Sequence, residues 1–360
     1  MATSTIEFNN PMSVDDLRVM IPAYGKALTI VVKGEPGIAK SSLHHMLKKD
    51  LGDEYDHIYF DCPARDVGDT VMTIPDNDRT KLTQVLSEVF CMDSPKPKVI
   101  MLDEFMKTPK LLQIIWTRLM LERTLGDRQL PEGSIVFATS NNSSDGVGDS
   151  MLAHAGNRVM IINMRKPTAA EWNVWATDND IAPEIRACVA MNPRMMASYL
   201  DGGQDDNPYI FNPTRKVLSF VSPRSLAKSD IIVRNRGAMG AVRTQAALAG
   251  TIGMAAAEMM SAFLSLASEL TSIKDVIADP DTVRMPEKPA ALFMMMFNAV
   301  DTIQTQDELA SFMKFINRVQ SAEVQSVFFT IAMQSKRLAK LAVRNEQIKE
   351  WAKTNYQLMT

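Results

Sequence analysis

The chain is short of the residues that build disulfide or metal frameworks. It carries three cysteines in 360 residues, Cys62, Cys91 and Cys188, with no paired spacing among them. That excludes a disulfide scaffold, and scattered thiols fit a reducing compartment, so a cytoplasmic location is expected. Histidine is as scarce, at four, which argues against a His-rich metal centre. No apolar run reaches the roughly 20 residues that span a bilayer, and no charged-then-apolar leader opens the chain, so no membrane partner is expected. Dense Lys/Arg tracts are missing too, and the net charge is −3. Nucleic acid is therefore not expected as a primary partner, although a local basic pore in an oligomer would escape such a count. What remains is an ordinary globular composition, 46% hydrophobic and 22% charged, in a chain long enough for two or three domains.

Against that plain background one segment stands out, Gly34-Glu35-Pro36-Gly37-Ile38-Ala39-Lys40-Ser41-Ser42, directly behind the apolar run Leu28-Thr29-Ile30-Val31-Val32. This is a strand feeding a phosphate-binding turn. A triphosphate needs many donors converging within a few ångströms, and a turn that opens a helix supplies backbone N–H groups and the positive end of the helix dipole. Lys40 would reach the β- and γ-phosphates, and the Ser41 hydroxyl would take a Mg²⁺ position. The usual pattern has Gly before the Lys, where this chain has Ala39. Its Cβ requires a negative φ there or a strained loop. The plain alternative is a Gly/Pro turn with a chance lysine.

A second segment, Val99-Ile100-Met101-Leu102-Asp103-Glu104-Phe105, reads as a buried parallel strand ending in two carboxylates. Ligands bind at the carboxyl ends of strands in open α/β sheets. Adjacent strand residues point to opposite sides, so the acids can divide the work. Asp103 would hold Mg²⁺ and Glu104 would polarise an attacking water as general base. A third strand, Ser134 through Ala138, closes on Thr139-Ser140-Asn141-Asn142. Asn141 could orient the water or touch the γ-phosphate, or the two Asn residues could simply begin a turn. Further on, Arg158 stands just ahead of the apolar stretch Val159-Met160-Ile161-Ile162. From such an edge an Arg can project into a neighbouring subunit's phosphate site.

This order of strand, phosphate loop, Asp-Glu strand, Asn strand, Arg and helical region resembles the AAA+ ATPases, most closely their MoxR branch. The variant Gly-x-Pro-Gly-x-Ala-Lys-Ser is familiar in that branch, which turns Ala39 into support. Glu122 through Gly133 is similar to the branch's run into its first sensor. Val221-Ser222-Pro223-Arg224-Ser225 looks like the second sensor, with Arg224 contacting nucleotide from a lid. Arg165 and Arg215 are rivals for the two arginine roles. The resemblance covers roughly residues 10 to 270. It implies an AAA+ P-loop parallel sheet with flanking helices over 1–165, an all-α lid over 166–270 and a helical C-terminal region over 271–360. It also implies ATP and Mg²⁺ as cofactors, a homo-oligomer in a hexameric ring, and a protein client or adaptor. No Asn-Lys-x-Asp guanine-reading segment occurs, so ATP is expected over GTP. Two other classes stay open: a nucleic-acid-associated motor or loader, and a scaffold whose assembly is set by nucleotide with little hydrolysis.

The rest is organisation. Ser13 through Leu17 reads as an N-capped helix, and Asp56 through Asp61 as a short strand. Residues 63–78 read as loop, in which Gly68 through Met72 is either a pore-lining segment or a plain surface connection. Leu112, Ile115, Trp116 and Leu119 recur at helical spacing, with Trp116 as core. From Thr168 the chain reads almost wholly helical, with Trp172 and Trp175 on one face. A mobile loop is expected over 201–207, and helix breaks at Gly250 and Gly253. Among the 26 methionines, Met259-Met260 and Met294-Met295-Met296 are read as packing, since thioethers fill irregular helical cores.

Overall fold

A computed structural model describes residues 10–142, 157–215, 217–267, 270–355 and 357. The chain divides into two compact units, Met1–Lys166 and Pro167–Thr360. In the first, α1 (Val14–Tyr24) starts where expected because Ser13 and Asp16 cap each other. The Ser13 hydroxyl accepts from the Asp16 N–H at 3.1 Å, and the Asp16 carboxylate accepts from the Ser13 N–H at 2.9 Å. Each contact satisfies an N–H that the helix geometry leaves without a partner.

There follow β1 (Ile30–Lys33), α2 (Ser42–Leu51), β2 (Asp56–Asp61), β3 (Val71–Pro75), β4 (Leu82–Leu86), β5 (Lys98–Asp103), α3 (Lys110–Glu122), β6 (Thr124–Leu125), β7 (Arg128–Gln129), β8 (Ile135–Ser140) and β9 (Met160–Asn163). Five strands form one sheet in the order β2-β5-β8-β1-β9, every neighbouring pair parallel. Successive residues face opposite sides of the sheet, as the pleat requires. Val99, Met101, Ile135 and Phe137 face one apolar cluster with Leu17, Leu43 and Leu47. Ile100, Leu102, Val136 and Ala138 face the other, with Phe60, Phe90 and Trp116. Trp116 is fully buried, 4.6 Å from the Phe60 ring between centroids. Continuous apolar strands therefore mark a sheet covered on both faces.

Residues 63–78 depart from the loop reading. Val71–Pro75 and Leu82–Leu86 form an antiparallel hairpin pairing Val71 with Leu86 and Pro75 with Leu82. The Gly68–Met72 segment runs from a 3₁₀ turn into this hairpin, and Met72 is 55% exposed.

The second unit is helical, as expected: α4 (Ala169–Asp178), α5 (Pro183–Met191), α6 (Pro223–Arg234), α7 (Arg236–Ile252), α8 (Met254–Ala267), α9 (Ile273–Ala278), α10 (Pro289–Thr302), α11 (Gln306–Asn317), α12 (Ala322–Gln334), α13 (Ala339–Ala342) and α14 (Glu346–Asn355). One apolar cluster runs from Trp172 to Ile348 and takes in Met260, Met294, Met295 and Met296. The stretches 166–270 and 271–360 thus share a core. Trp172 is buried, while Trp175 is 38% exposed. The breaks fall at Gly253 (φ 85°) and, as a kink inside α7, at Gly240 (φ 75°); Gly250 stays helical. Only a residue without Cβ takes such φ values cheaply, and the letter Gly does not say which one will.

The expected mobile loop over 201–207 is pinned instead. Asn207 is fully buried and donates to the carbonyl of Arg194 at 2.9 Å and to Gln204 Oε1 at 2.8 Å. Arg215 donates to the carbonyls of Asn207, at 3.2 Å, and Asp205. Polar side chains here take the place of a helical ladder.

Candidate functional site

The phosphate loop leaves β1 at the carboxyl end of the sheet. A Cβ on Gly34 would meet the Met164 carbonyl at 2.8 Å and Ile38 Cδ1 at 2.6 Å, so only glycine lets the loop run this close to the chain leaving β9. Gly37 and Ala39 take φ of 79° and 78°. Left-handed residues two apart curl successive N–H groups inward, the nest geometry that receives anions. Of the two outcomes that the sequence leaves at Ala39, the structure has the strained one, at a cost of about 1–2 kcal/mol for an L-residue. Such strain persists where its surroundings impose it, commonly at functional sites. Lys40, 7% exposed, donates to the carbonyls of Gly34 and Glu35 at 2.7 and 2.6 Å and to Asn141 Oδ1 at 2.9 Å. Ser41 precedes the first turn of α2, which begins at Ser42.

Asp103 ends β5, is 4% exposed and lies next to that loop: its Oδ2 accepts from the Ser41 hydroxyl at 2.7 Å. The same oxygen accepts from the Tyr59 hydroxyl at 2.7 Å, and Oδ1 accepts from Thr139. Glu104 corrects an expectation. The two acids are separated by a turn and not by the pleat, because β5 ends at Asp103 and Glu104 takes a left-handed conformation at φ 53°, ψ 35°. Its N–H donates to the Thr139 hydroxyl at 3.2 Å, and its Oε2 is paired with Lys107 Nζ at 2.6 Å. Asn141 follows β8, is 8% exposed and bonds Lys40, so it belongs to the site and is more than the opening of a turn.

The arginines divide differently. Arg158 is exposed and stands two residues before β9, whose Met160 registers with Ile30 at the start of β1. The phosphate loop leaves the far end of β1, so Arg158 lies at the opposite end of the sheet, roughly 13 Å along the strands at about 3.3 Å per residue. Residues 143–156 ahead of it lie outside the described residues. Its rival Arg165 follows β9 on the loop side and donates its N–H to the Met12 carbonyl at 2.9 Å. Arg224 is exposed in the first turn of α6, in the second unit. Arg215 is engaged by the 201–207 loop.

Sequence reasoning missed Tyr59, Thr139 and Lys107. Thr139 had a signal, a buried hydroxyl two residues before Asn141 at the end of an apolar strand. Lys107 lies three residues after Glu104, a spacing that becomes contact only through the turn. Tyr59 had none, because its strand register decides what it reaches.

Hydroxyl and carboxylate oxygens are hard donors that suit Mg²⁺, which needs one or two protein ligands besides water and phosphate. Ser41 and Asp103 fit that requirement. Among the described residues no three His, Cys, Asp or Glu side chains converge as a metal cage, and no helix is long and apolar enough to cross a membrane.

No protein-family model matches the chain, and no curated protein matches it. Solved structures give distant likenesses. A point mutant of RuvB from Thermotoga maritima aligns over 74% of this chain and 75% of its own, at 12% identity and TM-score 0.36. NtrX from Brucella abortus in complex with ADP aligns over 96% and 68%, at 12% identity and TM-score 0.33. A full-length MCM homolog from Methanopyrus kandleri aligns over 70% and 53%, at 11% identity and TM-score 0.30. Likeness this distant defines no family. Function has to be read from the residues and their geometry.

Proposed function

We propose that the chain is an ATP-hydrolysing AAA+ protein of MoxR type that works as a hexameric ring to remodel or assemble a protein partner. One observation carries the reading: three motifs far apart in sequence meet in one place. Lys40 bonds Asn141 across 101 positions, and Ser41 bonds Asp103 across 62. A chance turn with a lysine would have no reason to sit against a carboxylate at the end of a buried strand two places away in the sheet.

In this reading Lys40 exchanges its loop carbonyls for the β- and γ-phosphates, and the nest at Gly37–Ala39 holds the remaining oxygens. Ser41 and Asp103 hold Mg²⁺, which supplies neutralising charge on the phosphate oxygens. Glu104 orients the water and takes its proton, Asn141 fixes the geometry from β8, and Arg158 reaches the site of a neighbouring copy. Arginine fingers of that kind contribute about 10³ to 10⁵ in rate. Arg224 is the candidate second sensor that the resemblance implies.

The test is steady-state ATPase activity against protein concentration, wild type beside Glu104→Gln, with particle size measured in the same buffers. Specific activity should rise with assembly, and the variant should bind ATP with turnover at least about 100-fold lower, the scale of lost general-base catalysis. The Lys107 contact on Glu104 favours one second reading, a scaffold that binds nucleotide and hydrolyses it slowly. An assembled wild type that binds ATP without turnover would replace the motor with that reading.

A further inference from the structure

Asp103 accepts hydrogen bonds from three hydroxyls, of which the phosphate loop supplies only Ser41. Tyr59 comes from β2, the edge strand, where Asp61 registers with Asp103. Residues two apart in a strand share a face, and diagonal neighbours lie within reach of a long aromatic side chain. The Tyr59 ring therefore lies on the side of the sheet that carries the Asp103 carboxylate.

That position is backed by α2. The His44 ring lies 5.7 Å from the Tyr59 ring between centroids, and neither His44 nitrogen has a hydrogen-bond partner among the described residues. Burial, then the nearby charges of His45, His57 and Lys48, pushes His44 down to about 4. It is a neutral packing group at physiological pH. A phenol keeps its proton at physiological pH, so the Tyr59 hydroxyl donates to Asp103 Oδ2.

A carboxylate offers about four lone-pair positions. Three are occupied here, which fixes the side-chain rotation of Asp103 before any cation binds. Ser41 must reorganise when phosphate and metal enter, and Thr139 also accepts the Glu104 N–H. Tyr59 comes from neither the loop nor the Asp-Glu turn.

We propose that Tyr59 is a positioning residue that presets Asp103 for the Mg²⁺–nucleotide complex. The proposal rests on the nucleotide site described above. It predicts a split: the phenol hydroxyl matters to the metal-dependent part of nucleotide affinity and not to the metal-free part. A residue needed only for folding would move both.

The experiment titrates a fluorescent ATP analogue onto the full chain in EDTA and then at increasing Mg²⁺, for wild type, Tyr59→Phe and Lys40→Ala. Phenylalanine keeps the ring against His44 and removes only the hydroxyl. Tyr59→Phe should match wild type in EDTA and need about 10-fold more Mg²⁺ for half-maximal enhancement, at the low end for losing one hydrogen bond to a charged group. A Mg²⁺ midpoint equal to wild type overturns the proposal, as does an equal loss of affinity with and without metal. If wild type binds no nucleotide, or binds no better than Lys40→Ala, the nucleotide site itself is wrong.

Discussion

Glu104 is not free to act as a base while Lys107 holds it. The ion pair at 2.6 Å engages Oε2, with the two side chains 37% and 25% exposed. At that exposure such a pair contributes roughly 0–1 kcal/mol, so releasing the carboxylate is cheap but not free. Lys107→Ala is therefore expected to raise turnover by at most about fivefold, the rate equivalent of about 1 kcal/mol, with nucleotide affinity unchanged. Single-turnover hydrolysis measured beside equilibrium binding separates the two quantities. A fall in rate would instead make Lys107 the group that aims Glu104. The neighbouring strain at Ala39 has a related meaning: a left-handed alanine beside Lys40 is stable only because the rest of the loop dictates its backbone.

At the scale of elements, the sheet's far end is held by a different kind of contact. Lys98 and Asp56 are register partners at the starts of β5 and β2. Lys98 Nζ, fully buried, lies 2.5 Å from Asp56 Oδ2 and 2.9 Å from the Ser94 carbonyl. The hydrogen bond from Lys98, then that from Ser94, holds the Asp56 carboxyl below its ordinary value. A depressed folded value means that the contribution is present above about pH 4 and is lost as pH falls through the folded value. Asp56→Asn leaves the Lys98 charge buried without its counterion, at roughly 2–3 kcal/mol, less than a fully enclosed pair because Asp56 keeps some water contact. Hydrogen exchange of the β2 and β5 amides should show that deficit at neutral pH and a gap that narrows as pH falls through the folded value of Asp56. An unchanged gap at low pH would remove Asp56 as the titrating group. Elements like these explain what was readable. Val99 through Leu102 announced a doubly covered strand because four apolar residues in a row have no solvent face, and Lys40, Asp103 and Asn141 announced the site because their chemistry is tied to strand ends. The β3–β4 hairpin hid because both faces of its strands meet solvent and show no alternation. Tyr59 hid because strand order, which brings β2 beside β5, is not written in either segment.

At the scale of the whole molecule, the sheet itself separates Arg158 from its own phosphate loop. Both flank the β1–β9 pair, one before β9 begins and the other after β1 ends, and a parallel pair keeps those ends apart. An arginine finger at Arg158 therefore has to serve a second copy, through a head-to-tail contact of the kind that closes into rings. This makes a specific prediction for mixtures. Glu104→Gln lacks the base but keeps the arginine, whereas Arg158→Ala lacks the arginine but keeps the base, and each alone should be nearly inactive. Mixed in equal amounts and allowed to exchange subunits, they create interfaces in which an intact Glu104 faces an intact Arg158. Random mixing gives about one such interface in four, so turnover should recover to about a quarter of wild type if interfaces act independently. Recovery measured against mixing ratio should peak near equal proportions. A mixture no more active than its components, at concentrations where wild type is assembled, would place the finger elsewhere, with Arg165 on the loop side of β9 the next residue to substitute.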